Sequence, residues 1–287
     1  DREMVHAIRQ EYRVDHQAGI KDPIGMSGVR LESEVFLVTC QVTASANITK
    51  AVNRAGYRVQ ELVLEPLAGA RAVLTEDEKE VGVAMVEIGA QTTNVAAYYE
   101  GKIHHVAILP FGGATLTQDL MRGLAVPYKE AQRAKEHHSH AFAQMVDPRE
   151  TVDLPGPSPN QMRSVACELI AHIVEQRLDE MFGIIQGELQ DHGVAEKLGA
   201  GIVLSGGSAS IPGITELAQQ IFAAPVRLGV PAEGLGGIAD VVARPRFTVG
   251  AGLALWGADR FAETGRGAST RASGIVTRLG VWLKEFF

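Results

Sequence analysis

Two cysteines, Cys40 and Cys167, are all that the 287-residue chain contains, too few for a disulfide framework and suited to a reducing compartment. No apolar run approaches the roughly 20 residues of a transmembrane helix, and the opening residues do not read as a signal peptide, so none is expected. A basic surplus is missing as well. Asp and Glu outnumber Lys and Arg by 34 to 27, and a pI near 5.7 argues against a nucleic-acid footprint, so no nucleic-acid partner is expected. Met is missing from position 1, and Asp1 stands in what reads as the middle of a folded unit, so the chain is expected to be a fragment lacking its true N-terminus. What is present, 46% hydrophobic and 21% charged, is ordinary for a cytoplasmic globular protein and long enough for two domains.

The C-terminal end departs from that ordinary texture. The polar run Glu263 to Ser273 has no large aliphatic side chain and reads as a flexible leg before Gly274 to Phe287. At about 100° per residue, Ile275, Val276, Leu279, Trp282, Leu283, Phe286 and Phe287 share one helical face, with Arg278, Lys284 and Glu285 elsewhere. Such a helix reaches about 21 Å at about 1.5 Å per residue, short of the roughly 30 Å hydrocarbon core. It is expected to lie in the interface, with Trp282 and the two Phe inserted and Arg278 and Lys284 toward anionic headgroups. Residues 264–287 carry a net +3, which leaves −10 on the remainder of a chain of net −7. An acidic body with a basic foot approaches an anionic leaflet in one orientation. The plainer alternative is a terminal helix docked on its own body.

Strands are predicted over Tyr12–Asp15, Gly28–Cys40 and Val59–Leu64, and helices over Ala44–Ala55 and Pro66–Leu74. Thr75–Glu80 reads as an acidic turn. From Val81 the pattern becomes buried strands joined by Gly-containing turns: Val81–Ile88, Asn94–Tyr99 and Ile103–Leu109, then a helix over Thr115–Gly123. The Pro-rich stretch Pro148–Pro159 is expected to be an exposed excursion, followed by one long helix over Met162–His192. A buried strand, Gly201–Leu204, runs into Ser205-Gly-Gly-Ser208 and a helix over Ile214–Phe222. Val226–Leu228 is a further strand and Thr248–Phe261 a final body helix.

Two loops could hold a nucleotide. Ser205-Gly206-Gly207-Ser208 lies between a buried strand and a helix, where glycines allow close backbone approach and a helix N-terminus favours anions; such turns also serve as plain structural corners. Glu87-Ile-Gly89-Ala90-Gln91-Thr92 places a carboxylate to reach a metal and Thr92 or Thr93 to contact phosphate. The pairs His104-His105 and His137-His138, with His140, have no Cys or carboxylate at ligand spacing and read as solvated surface. Both cysteines read as structural.

Taken in order, Gly19-Ile-Lys-Asp-Pro-Ile-Gly-Met-Ser-Gly-Val-Arg-Leu31, Leu64-Glu-Pro-Leu-Ala68, Leu74-Thr-Glu-Asp-Glu-Lys-Glu80, Pro110-Phe-Gly-Gly113, Gly201-Ile-Val-Leu-Ser-Gly-Gly207 and the terminal helix resemble the FtsA family of bacterial cell-division proteins, within the actin superfamily. The resemblance implies an α/β, actin-like two-domain fold with a small α+β inserted subdomain and a C-terminal amphipathic helix. Its expected divisions are 1–45 for the inserted subdomain, 46–80 for the rest of the first domain and 81–127 for a phosphate-loop sheet. A helix-rich subdomain over 128–200, an adenosine-loop segment over 201–247, a closing helix over 248–262, the linker 263–273 and the membrane helix 274–287 follow.

The same resemblance implies ATP and magnesium as cofactors. Glu87, Gly89, Ala90, Gln91, Thr92 and Thr93 would form the second phosphate loop, with Glu87 toward the metal; Gly206, Gly207 and Ser208 would form the adenosine loop. Arg177 and Glu180 would lie near base and ribose, or else form a solvated pair one turn apart. Implied partners are the FtsZ C-terminal peptide, further copies in a head-to-tail polymer, an anionic membrane surface at the cytoplasmic face of the division site, and other divisome membrane proteins. Where the family carries Asp, a run of glycines and a second Asp, this chain has Glu87, Ala90, Gln91 and Asn94, so hydrolysis is expected to be weak or absent, and a strain penalty is expected if Ala90 or Gln91 must take positive φ. A pilus-assembly adaptor and a small-molecule kinase of the same superfamily are the alternatives.

Overall fold

A long antiparallel ribbon opens the chain, with β1 (Arg2–Val14) between β2 (Gln17–Ile20) and β3 (Leu31–Gln41). The computed structural model describes residues 1–20, 22–156, 161–231, 235–236 and 239–262, so the expected linker and terminal helix lie outside the described residues. β1 and β3 stay in register from Arg2 opposite Gln41 to Val14 opposite Leu31, through two bulges. β1 is far longer than the expected Tyr12–Asp15, because its residues are largely polar and few are buried, which hides the strand period. Asp15 closes the loop before β3: its carboxylate accepts the N–H groups of Val29 and Arg30 at 3.0 and 2.8 Å.

Helix α1 (Val42–Arg54) follows without a break. Residues 59–64, expected as a strand, have no regular structure. No described strand pairs with them; instead the Leu64 N–H donates to His6 Nε2 at 3.0 Å, and the His6 ring meets Trp256 edge-on at 5.6 Å. These contacts fasten β1 to the body. Next come α2 (Glu65–Val73), with Pro66 in its first turn, and α3 (Glu76–Val81), where a turn was expected. A capping box makes α3 a helix: the Thr75 hydroxyl accepts the Glu78 N–H at 3.2 Å, and the Glu78 carboxylate accepts the Thr75 N–H at 2.9 Å.

The main sheet is a meander of β4 (Val83–Ile88), β5 (Thr93–Tyr99) and β6 (Lys102–Leu109), extended later by two parallel strands. Helices α4 (Gly113–Gly123) and α5 (Tyr128–His138) follow it. The Pro-rich stretch is not wholly an exposed excursion. Within it β7 (Thr151–Pro155) pairs with β8 (Met162–Ala166), burying Leu154 and Val165. The long helix therefore begins at Cys167: α6 is Cys167–Asp191, five residues shorter at its start than expected. The chain then forms β9 (Gly201–Ser205), α7 (Ile214–Phe222), β10 (Val226–Leu228), α8 (Ala239–Val242) and α9 (248–262). The strand order is β10-β9-β4-β5-β6, with β4, β9 and β10 parallel.

Both faces of this sheet are covered, which explains why β4 is almost wholly apolar. Ala84, Val86 and Ile88 point into a large core with Leu116, Leu120, Ile170, Leu178, Phe182 and Ile214. Val83 and Met85 point the other way, against Ala70, Val73, Ala251 and Leu255 from α2 and α9. Gly252 lets those two helices touch, since a Cβ there would stand 1.8 Å from the Ala68 carbonyl oxygen. No helix among the described residues is long and apolar enough to cross a membrane.

Phe182 is fully buried and meets the Phe222 ring edge-on at 5.5 Å. Phe182→Ala is expected to cost about 3–5 kcal/mol, the range for emptying a core aromatic site. Urea unfolding followed by circular dichroism measures this; a loss under about 1 kcal/mol would show that the core of α6 and α7 collapses around the gap.

Candidate functional site

Parallel pairing of β4 with β9 sets Glu87 opposite Ser205, so the loops leaving the carboxyl ends of the two strands lie side by side. Gly206 is where they touch. It adopts φ +85°, and a Cβ on it would stand 2.4 Å from the Ile88 carbonyl oxygen. The Ser205 hydroxyl does not face solvent; it is bonded to the Gly229 carbonyl at 2.9 Å and to Thr248 Oγ1 at 2.5 Å. Loop 89–92 closes on itself, the Gly89 N–H donating to the Thr92 carbonyl at 2.9 Å. It is then stitched to the start of α4: the Gly113 and Ala114 N–H groups donate to the carbonyls of Gly89 and Ala90 at 2.9 and 2.7 Å. Thr93 holds the other side through a 2.8 Å bond from its hydroxyl to the Phe111 carbonyl.

These three backbone segments floor a cleft of about 500 Å³, within the usual range for small-molecule sites. Gly89, Ala90, Gly113, Ala114, Gly207 and Ser208 form the floor. Tyr128, Gln132, Lys135 and Glu136 of α5, with Ser139 just past its end, form a wall, and Arg246 from the chain's later part also lines the cleft. A Cβ at Gly207 would meet nothing within 4 Å, so this backbone is open to whatever enters. Lys135 donates to the Gly113 carbonyl and Thr117 Oγ1, both at 2.8 Å, and burial holds its ammonium below the ordinary lysine range. A cleft of backbone edges and two cations suits an anionic ligand.

Family comparison agrees with this architecture. The model described as "Cell division protein FtsA" matches residues 84–252, and that of the "SHS2 domain inserted in FTSA" matches residues 1–39. The cell division protein FtsA of Pseudomonas aeruginosa is 42% identical, over 100% of this chain and 70% of its own length. The chain belongs to the FtsA family.

Two solved structures show the same fold at low identity. MreB5 of Spiroplasma citri bound to ADP superposes with a TM-score of 0.62 at 15% identity, over 78% of this chain and 66% of that one. The MamK double helical filament gives 0.54 at 17% identity, over 74% and 64%. The actin-superfamily α/β fold with an inserted subdomain is thereby shown; the chain spans about two thirds of the proteins it matches.

Within this FtsA-family body the expected nucleotide-site residues divide into three groups. Gly89, Ala90, Gly207 and Ser208 line the cleft. Glu87, Gln91, Thr92, Thr93 and Gly206 lie beneath or beside the lining. Glu87 is almost fully buried on the sheet face toward α2; its carboxylate accepts from Asn94 Nδ2 at 2.8 Å, and burial pushes its pKa up despite that bond. Arg177 and Glu180 stand apart from the lining, where the Arg177 guanidinium pairs with Asp119 of α4 and with Glu180, each at 2.5 Å. Neither Ala90 nor Gln91 has positive φ, so the expected strain is absent. Lys135, Tyr128, Gln132 and Arg246 were not singled out from the sequence; the spacing of polar residues along α5 was the available signal. Among the histidines read as solvated surface, His137 is exposed as expected, while His104, His105, His138 and His140 are partly buried. His105 is mostly buried, bonded to Glu188 at 2.9 Å and stacked on His192, and His138 Nδ1 lies 3.9 Å from Cys167 Sγ.

Adjacent glycines thus have opposite duties. Gly206→Ala is expected to destabilise the fold by about 2–4 kcal/mol, combining a left-handed residue with a backbone clash, whereas Gly207→Ala should shift stability by under about 1 kcal/mol. Parallel denaturant titrations decide it; equal costs would remove the distinction.

Proposed function

We propose that this chain is the greater part of an actin-like, ATP-binding, self-polymerising division protein that tethers FtsZ to the cytoplasmic face of the membrane through residues 274–287. The observation that carries the reading is the cleft of exposed backbone at the paired carboxyl ends of β4 and β9, within a body matched to the FtsA family. Open ends of adjacent parallel strands are the usual place for a nucleotide in α/β folds, and the related fold of MreB5 is described with ADP bound.

The residues present fit that group. Gly207 leaves room where a side chain would obstruct, and Lys135 and Arg246 offer positive charge to phosphate. On the α2 side, Asn94 Oδ1 is buried with no hydrogen-bond partner, next to the Glu87 carboxylate. Two hard oxygen donors suit a magnesium ion, which would supply charge neutralisation to the phosphates. Glu87 and Asn94 would hold it, with Thr92 and Thr93 fixing the loop. Arg177 and Glu180 would act toward the base only from outside the present lining. Nucleotide binding and assembly carry this reading, and turnover is not required by it.

MamK is described as a double helical filament, and assembly gives the membrane contact its strength. Burying about seven apolar side chains offers several kcal/mol before ordering costs, weak for one copy and strong for many joined together. The helix-rich segment 128–200 is the proposed seat of the FtsZ peptide.

Two substitutions in the full-length protein test the reading. Gly207→Val should keep the fold and weaken ATP binding by more than about tenfold, or about 1.4 kcal/mol, in a fluorescent-nucleotide titration; unchanged affinity would move the nucleotide elsewhere. Trp282→Glu should abolish co-sedimentation with anionic liposomes while leaving FtsZ-peptide capture intact. Sedimentation at the original level would rule out the membrane foot.

A further inference from the structure

The lower end of α6 meets the edge of the main sheet at a cluster that neither the nucleotide cleft nor the membrane helix uses. Glu188 and His192, four residues apart, share one face of the helix. His105, on edge strand β6, comes up beneath them. Its Nε2 lies 2.9 Å from Glu188 Oε1, and His192 Nδ1 lies 3.5 Å from the same oxygen. The two imidazoles stack at 3.9 Å between centroids. All three ligand-capable atoms fall within 4.8 Å of one another. The side chains are 12%, 28% and 50% exposed in the order His105, Glu188, His192, so solvent reaches the set mainly at His192.

We propose that His105, Glu188 and His192 form a binding site for a borderline divalent transition-metal ion, of which zinc is the best fit. Two imidazole nitrogens and one carboxylate oxygen are the donor types zinc takes, and three protein ligands leave a fourth position open toward solvent. Magnesium and calcium, which favour all-oxygen surroundings, are poor matches. The site also lies at the carboxyl end of a 25-residue helix, where unsatisfied carbonyls favour a cation. His192 Nδ1–H donates to the Glu188 carbonyl at 2.9 Å, so zinc would take this nitrogen by displacing its proton to solvent and releasing that bond. Bound metal would clamp the end of α6 to β6. His105 belongs to the large sheet and His192 to the helix end, so the ion would cross-link parts of the chain far apart in sequence.

Zinc-free, tag-free protein titrated with zinc(II) by calorimetry, and with cobalt(II) by visible absorption, tests the site. The expected result is one equivalent bound with a tetrahedral cobalt spectrum. His192→Ala, at the most exposed member, should keep the fold by circular dichroism and weaken binding more than about tenfold, since losing even a group that merely orients a ligand costs 10–100-fold. His105→Ala should do the same. Cys167→Ser, in the separate set of His138, Glu150 and Cys167, should leave the affinity unchanged. Binding that survives both histidine substitutions, binding lost in Cys167→Ser, or no binding at all overturns the proposal.

Discussion

The parallel pairing of β4 with β9 is the constraint on which the rest of the molecule depends. It fixes Glu87 beside Ser205 and so places loops 113 residues apart, those at Gly89–Thr92 and Gly206–Ser208, within touching distance. The pairing also leaves both faces of β4 to be buried, and the alternation of Ala84, Val86 and Ile88 with Val83 and Met85 supplies two separate cores. Glu87 breaks that alternation on the α2 face. A carboxylate buried there is costly without a donor, and Asn94, its register partner on β5, provides one. The candidate-site loop and the packed strand are consequences of one register. A slip of one residue would turn the carboxylate into the large core and part the two glycine loops.

Legibility in the sequence followed the number of residues a feature needs. β4 and β9 were readable because fully buried strands appear as short apolar runs bounded by glycine. The start of α6 was not: Met162–Ala166 fits helical spacing into Ile170, and only the pairing with Thr151–Pro155 shows that it is a strand. Thr75 and Glu78 carried a capping-box signature in plain view, but the run of acidic residues after Thr75 masked it as a turn. Within the candidate site, the glycine loops could be read because backbone exposure requires that residue type. Lys135 could not, since one lysine on the polar helix α5 is distinguished only by where the fold buries it. His105 needed a carboxylate 83 residues away before it could be more than a surface histidine.

Charge is divided in a way that suits the proposed reading. The chain as a whole is acidic, yet the cleft is lined by backbone edges and by Lys135 and Arg246 against one carboxylate, Glu136. Burial already holds Lys135 below its ordinary range, so an entering phosphate would meet a cation that water stabilises poorly and an anion stabilises well. Long-range attraction cannot come from the acidic body. Short-range recognition by desolvated donors has to carry anion binding, and it is less sensitive to salt than attraction between exposed charges.

Weak attachment by each copy would be useful to the proposed assembly. On the proposed reading, a single foot of about seven apolar side chains and a few cations would lie near the limit of stable membrane residence, because ordering costs would offset much of its burial. If every copy bound tightly alone, polymer state could not control position. With marginal feet, joining copies multiplies attachment without changing any lipid contact, since each further foot binds at the high local concentration set by its neighbours. On the proposed reading, whatever occupies the cleft between Gly89 and Gly207 therefore governs the membrane at a distance, by setting how many feet are held together.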